Sequence, residues 1–132
     1  MEDHGQRVLV IDDDAPVRAL LVRYLSNLGY QCSEAGTGQE GVELLEAQKF
    51  LAVFSDLQMP NLNGLQLLSR IRESNTELVV IMITGVNDAS AAVQAMKLGA
   101  DDYIVKPFSL LEVSSSLNRA LKKRGYIPGT GQ

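Results

Sequence analysis

One regularity restricts what this chain can become: short apolar runs of strand type and longer stretches with helical spacing alternate five times. Arg7 to Asp12 is a run rich in Val and Ile. Val17, Leu20, Leu21, Tyr24, Leu25 and Leu28 then recur at helical spacing, and Gly29 supplies a stop. Asp14 is placed to cap that helix, with Pro16 in its first turn. Gln31 to Ala35 is a second, more polar strand. Thr37 and Glu40 form a capping-box pattern for a helix through Gln48. Leu51 to Asp56 is the third strand, and Leu65, Leu68 and Ile71 mark the third helix. Leu78 to Ile83 is the most apolar strand, followed by a helix carried by Ala92, Val93 and Met96 that ends at Gly99. Tyr103 to Val105 is a short fifth strand. Ser109 and Glu112 repeat the capping-box pattern, and Val113, Leu117 and Leu121 line the last helix.

Strict alternation implies parallel strands joined by right-handed crossovers. The first, third and fourth runs are continuously apolar, which suits central strands covered on both faces. The second is polar and the fifth short, which suits edges. The expected architecture is therefore α/β: a (βα)5 doubly wound sheet of five parallel strands in the order 2-1-3-4-5. With 132 residues, 45% apolar and 21% charged, one domain is expected, burying about two-thirds of its unfolded surface. We assign it to residues 1–124. Gly125 to Gln132, with three glycines and a proline, reads as a flexible tail or the start of a linker.

Several classes are disfavoured. The longest apolar run, Leu78 to Ile83, is far too short to span a membrane. Met1 to Gln6 lacks the basic start and apolar core of a signal peptide. His4, the single histidine, sits in this polar lead-in, so histidine-based catalysis is not expected. Cys32 is the only cysteine, so no internal disulfide can form. A cytoplasmic setting is the simplest reading, with Cys32 a small strand residue. A net charge of −4 argues against nucleic-acid binding by this domain. The Lys and Arg residues at 119, 122, 123 and 124 read as a solvated face that complements the dipole of the last helix.

The strand ends carry the chemistry. The first ends in Asp12 and Asp13, the third in Asp56 and the fourth in Thr84, and the fifth runs into Lys106. Ligands of open parallel sheets bind at the carboxyl ends of the strands. Three carboxylates gathered there repel one another and invite a cation, and magnesium suits oxygen donors that also meet a phosphate. Lys106 has the opposite sign and suits an anion beside the metal, to which Thr84 can donate a hydrogen bond. A carboxylate can itself be the nucleophile, giving an aspartyl phosphate.

The runs VLVIDDDAPVR (Val8 to Arg18), DLQMPNLNG (Asp56 to Gly64) and GADDYIVKP (Gly99 to Pro107) resemble the acidic-pocket, phosphoacceptor and aromatic-lysine-proline motifs of bacterial response-regulator receiver domains. The resemblance covers Arg7 to Arg124. It implies a flavodoxin-like fold and a two-component signalling switch, not an enzyme acting on other substrates. It makes Asp56 the phosphoacceptor. Asp12, Asp13 and Asp56 become the magnesium ligands, with the backbone carbonyl of Gln58. Thr84 and Lys106 become the contacts to the phosphoryl oxygens, and the Lys106–Pro107 bond is expected to be cis. Thr84 and Tyr103 become the switch pair that relays the signal to the face built by the fourth helix, fifth strand and fifth helix. The implied partners are a histidine kinase or phosphotransfer protein and an effector that the sequence leaves unidentified. Pairing with a second phosphorylated copy is a further expectation. Gly85 departs from the alanine usual in the family and is expected to loosen the loop after the fourth strand.

Taken singly, these features have plainer readings: Asp14 is a helix cap, Lys106 a surface charge, Tyr103 an edge-strand packer. Two rival functions use parts of the set. Asp12-x-Asp14 resembles the nucleophile motif of haloacid-dehalogenase phosphatases, which want an acidic pair after the lysine, whereas Asp101 and Asp102 precede Lys106. Gly36-x-Gly38-x-x-Gly41, with Asp56 further on, matches a dinucleotide fingerprint but starts on a polar strand and leaves Asp12, Asp13, Thr84 and Lys106 idle.

Overall fold

The computed structural model describes residues 6–85 and 89–126. His4 and the tail beyond Tyr126 lie outside the described residues. The element order is β1 (Arg7–Ile11), α1 (Ala15–Asn27), β2 (Gln31–Ala35), α2 (Gly38–Ala47), β3 (Ala52–Asp56), α3 (Gly64–Ser74), β4 (Val79–Thr84), α4 (Ala89–Lys97), β5 (Asp102–Val105) and α5 (Leu110–Lys123). The five strands form one parallel sheet in the order β2-β1-β3-β4-β5, as the alternation requires.

Side chains of a strand alternate between faces, so the continuous apolar strands feed two separate cores. Leu9, Ile11, Val53, Val80 and Met82 face one side, against Leu67, Leu68 and Ile71 of α3 and Val42 of α2. Val8, Val10, Phe54, Ile81, Ile83 and Ile104 face the other, against Leu21 and Leu25 of α1 and Val113, Leu117 and Leu121 of α5. Each fully buried chain of this size is worth about 1.5–3 kcal/mol. Every residue of β3 and β4 is buried, whereas β2 and β5 carry exposed positions, which matches their places at the edges.

Helix starts follow their caps. Asp14 accepts from Val17 N at 3.3 Å. Thr37 accepts from Glu40 N at 3.1 Å, but the Glu40 carboxylate accepts from Gly36 N at 2.8 Å, one residue before the cap, so that box is offset. The Ser109–Glu112 box is complete. A third box, Asn63 with Gln66, was not read from the sequence because Asn63 follows a turn-rich stretch without an apolar lead. Ser109→Ala removes the acceptor for Glu112 N and should cost about 1 kcal/mol. Urea unfolding checks this, and an unchanged midpoint would contradict it.

Two expectations need correction. Of the three residues that carry α4 in the sequence, Ala92 is buried, with Ala95 beside it, but Val93 and Met96 are exposed. A helix beside an edge strand is half-covered, and the small residues let it lie close to the sheet. The basic cluster of α5 is also not uniformly solvated. Arg124 Nε donates to Asp101 Oδ1 at 2.7 Å, and Arg119 donates to Asp102 at 2.9 Å. Asp101 Oδ2 also accepts from Arg72 and from Val80 N. Arg72 in turn donates to the carbonyls of Gly99 and Leu78. This network clamps the amino ends of β4 and β5 to the carboxyl ends of α3 and α5. Lys122 and Lys123 remain exposed.

Candidate functional site

The carboxyl edge of the sheet gathers the residues named from the strand ends. Asp56 ends the central strand β3 and is 3% exposed. Asp12 follows β1 and is fully buried, while Asp13 is exposed. One oxygen from each of these three carboxylates lies within 4.8 Å of the others. Lys106, just past β5, places Nζ 3.4 Å from Asp56 Oδ2 and 3.6 Å from Asp12 Oδ2. Thr84, at the end of β4, is buried, and its hydroxyl donates to the Gly85 carbonyl at 3.3 Å. Gln58 N donates to Asp56 Oδ1 at 3.1 Å, which brings the Gln58 main chain to the site. The Lys106–Pro107 bond is cis, as expected from the resemblance. Tyr103 is 41% exposed on the outer side of β5.

Local structure holds these groups. Asp12 Oδ1 accepts from Asp14 N at 2.9 Å, which folds the turn between β1 and α1. Gly64 opens α3 directly beneath the Asp56 turn, where a Cβ would stand 2.5 Å from the Asp56 carbonyl oxygen and 2.7 Å from Leu57 Cα. No other residue fits that approach.

The charges are frustrated. Burial pushes the Asp12 carboxyl up to about 6, relieved in part by the Asp14 amide and reinforced by neighbouring Asp56. Burial works against the charge of Lys106, but Asp56 and then Asp12 together raise its pKa above the ordinary lysine value. Asp12 Oδ2 is buried without a hydrogen-bond partner. An all-oxygen donor set with one orphaned buried oxygen fits a hard divalent cation such as magnesium.

The rival readings fit less well. Asp101 and Asp102 sit at the start of β5, at the opposite end of the sheet from Lys106, and serve the arginine network. In the glycine-rich turn, a Cβ on Gly38 would meet the Leu62 carbonyl at 2.6 Å, and one on Gly41 would strike Ile11. Those glycines admit close packing of α2 against Leu62 and Ile11.

A parallel sheet of this order, with three carboxylates and a lysine at its carboxyl edge, defines a flavodoxin-like site at the point where the strand order reverses. The family model of the response regulator receiver domain matches residues 8–118, and the chain belongs to that family, whose members serve signal transduction in two-component systems. Over 118 residues it is 36% identical to a probable transcriptional regulator, ycf27, of Porphyridium aerugineum, covering 89% of this chain and 49% of the relative. It is 32% identical over 130 residues to the phosphate regulon transcriptional regulatory protein PhoB of Pseudomonas aeruginosa, covering 97% of this chain and 56% of that one. The chain thus spans about half the length of the curated relatives it matches. Among solved structures, the receiver domain of NtrX from Brucella abortus superposes with a TM-score of 0.84 at 32% identity, covering 87% of this chain and 98% of that one. A receiver domain protein from Clostridium thermocellum gives a TM-score of 0.84 at 29% identity, covering 89% and 95%.

Proposed function

We propose that this domain is a phosphorylation-dependent switch in which Asp56 accepts a phosphoryl group from a phosphohistidine of a histidine kinase or phosphotransfer protein. The observation that carries the reading is the placement of the Asp56 carboxylate beside both the Lys106 ammonium and the Asp12–Asp13 pair, at the end of a buried central strand. In the reaction an Asp56 carboxylate oxygen attacks phosphorus, the P–N bond to the donor imidazole breaks, and the imidazole leaves with its electron pair. Asp12, Asp13, Asp56 and the Gln58 carbonyl would hold magnesium. When bound, the ion supplies neutralisation of charge on the phosphoryl oxygens. Lys106 follows the charge from the Asp56 carboxylate to a phosphoryl oxygen.

Residues 1–124 make up the switch module. Its signal leaves through the face of α4, β5 and α5. The Thr84 hydroxyl, now on the Gly85 carbonyl, turns to the new phosphoryl acceptor, and the ring of Tyr103 follows into the vacated space. Val93, Met96, Tyr103, Val105 and Leu111 are exposed on these elements, which supports a docking face for an effector or a second copy. No helix among the described residues is long and apolar enough to cross a membrane.

Acetyl phosphate with magnesium should add the mass of one phosphoryl group to the chain. The adduct should be lost in hydroxylamine, as acyl phosphates are, and peptide mapping should place it at Asp56. Labelling at another residue, or a hydroxylamine-resistant adduct, would overturn the assignment.

A further inference from the structure

We infer that Arg18 is a positioning residue for the acidic pocket, fixing the main chain at Asp12 so that the Asp12 and Asp13 carboxylates converge; this rests on the phosphoacceptor reading above. Arg18 lies in the first turns of α1, on the element that follows the acidic turn. Its Nη1 donates to the Asp12 carbonyl at 2.7 Å, and its Nε donates to Glu34 Oε1 on β2 at 3.1 Å. The β1–β2 ladder ends at the pair Ile11–Ala35, and Asp12 N is the last donor across it, to Ala35 O at 3.1 Å. The Asp12 carbonyl therefore lies beyond the last ladder pair on the β2 side, and the guanidinium satisfies it. The residue that bears the orphaned carboxylate oxygen is thus held at three points: its amide on Ala35, its Oδ1 on Asp14 N and its carbonyl on Arg18.

Glu34 has two effects. It aims the planar guanidinium fork at the carbonyl, and it cancels a positive charge that would otherwise compete with a cation in the pocket. The arrangement parallels the outer-shell partners that orient metal ligands in other sites.

The sign of the effect separates positioning from charge. Removing a cation near three carboxylates would by Coulomb's law alone tighten the binding of magnesium. Loss of a positioning bond weakens it. Magnesium titrations followed by amide shifts should therefore give about tenfold weaker binding for Arg18→Met than for the parent chain. Ser109→Ala, which removes only the cap of α5 and no contact to Asp12, Asp13 or Asp56, should bind like the parent. Binding by Arg18→Met that is equal to the parent or tighter overturns the proposal, as does an equal weakening in Ser109→Ala. Should Arg18→Met fail to fold, Arg18→Lys keeps the charge but loses the fork that joins the Asp12 carbonyl to Glu34, so charge alone predicts no change. Weaker binding supports the proposal there, and unchanged binding overturns it. A parent chain that takes up neither magnesium nor a phosphoryl group overturns the phosphoacceptor reading itself and this inference with it.

Discussion

Asp56→Asn should remain folded and lose phosphoryl labelling by about two orders of magnitude or more, because a carboxamide oxygen is a far poorer nucleophile than a carboxylate. The exchange keeps the shape of a side chain that is 3% exposed, so the core beneath it is not emptied. Its Oδ1 can still accept from Gln58 N, the bond now made at 3.1 Å. Only the charge facing Lys106 is lost. Labelling with acetyl phosphate, read by intact mass beside a far-ultraviolet spectrum of the same sample, checks both halves. An unaltered rate of labelling would remove Asp56 from its assigned role, and a collapsed spectrum would show the carboxylate to be structural.

Asp12→Asn should stabilise the fold in the absence of divalent cations while weakening magnesium binding. The folded Asp12 carboxyl titrates at about 6 against an ordinary value of 3.8. The native state thus holds a proton that the unfolded chain has released between those two values. A raised folded value means stability is fully present below about 3.8 and is lost as pH rises through about 6. A rise of that size corresponds to about 3 kcal/mol at most, and local relaxation brings the expected gain of the variant to about 2 kcal/mol at a pH of about 7.5. The parent–variant difference in urea unfolding, measured in chelator, should grow from about pH 4 to about pH 6 and then level off. Millimolar magnesium should shrink or reverse it, because a ligand that binds only the native parent adds to its stability. A difference that does not change with pH would mean that Asp12 is not held against its charge.

The architecture was legible because its signal is repetitive: five alternations, buried strands without a polar face, and functional side chains at strand ends where topology gathers them. Asp12, Asp13, Asp56 and Lys106 converge as read. Long-range pairing was not legible. Nothing local in the sequence says that Arg124 reaches Asp101, 23 residues earlier, or that Arg72 reaches Gly99. Those bonds exist only once the strands are laid side by side. Arg18 stood inside a motif, but its use depends on where β2 ends, which a single sequence does not reveal. Of Ala92, Val93 and Met96 only Ala92 is covered, because spacing gives the period of a helix and not which stripe is buried.

That thin attachment of α4 has a bearing on how the molecule answers to chemistry at its edge. α5 is anchored by Val113, Leu117, Ala120 and Leu121, and α3 by Leu67, Leu68 and Ile71, whereas α4 is held mainly by the methyl groups of Ala92 and Ala95. Adhesion scales with the apolar area removed from water. The helix that follows Thr84 is therefore the one with the least to lose by sliding or tilting. On the proposed relay, a small push at the Thr84 hydroxyl would displace this helix before the strands or the better-anchored helices.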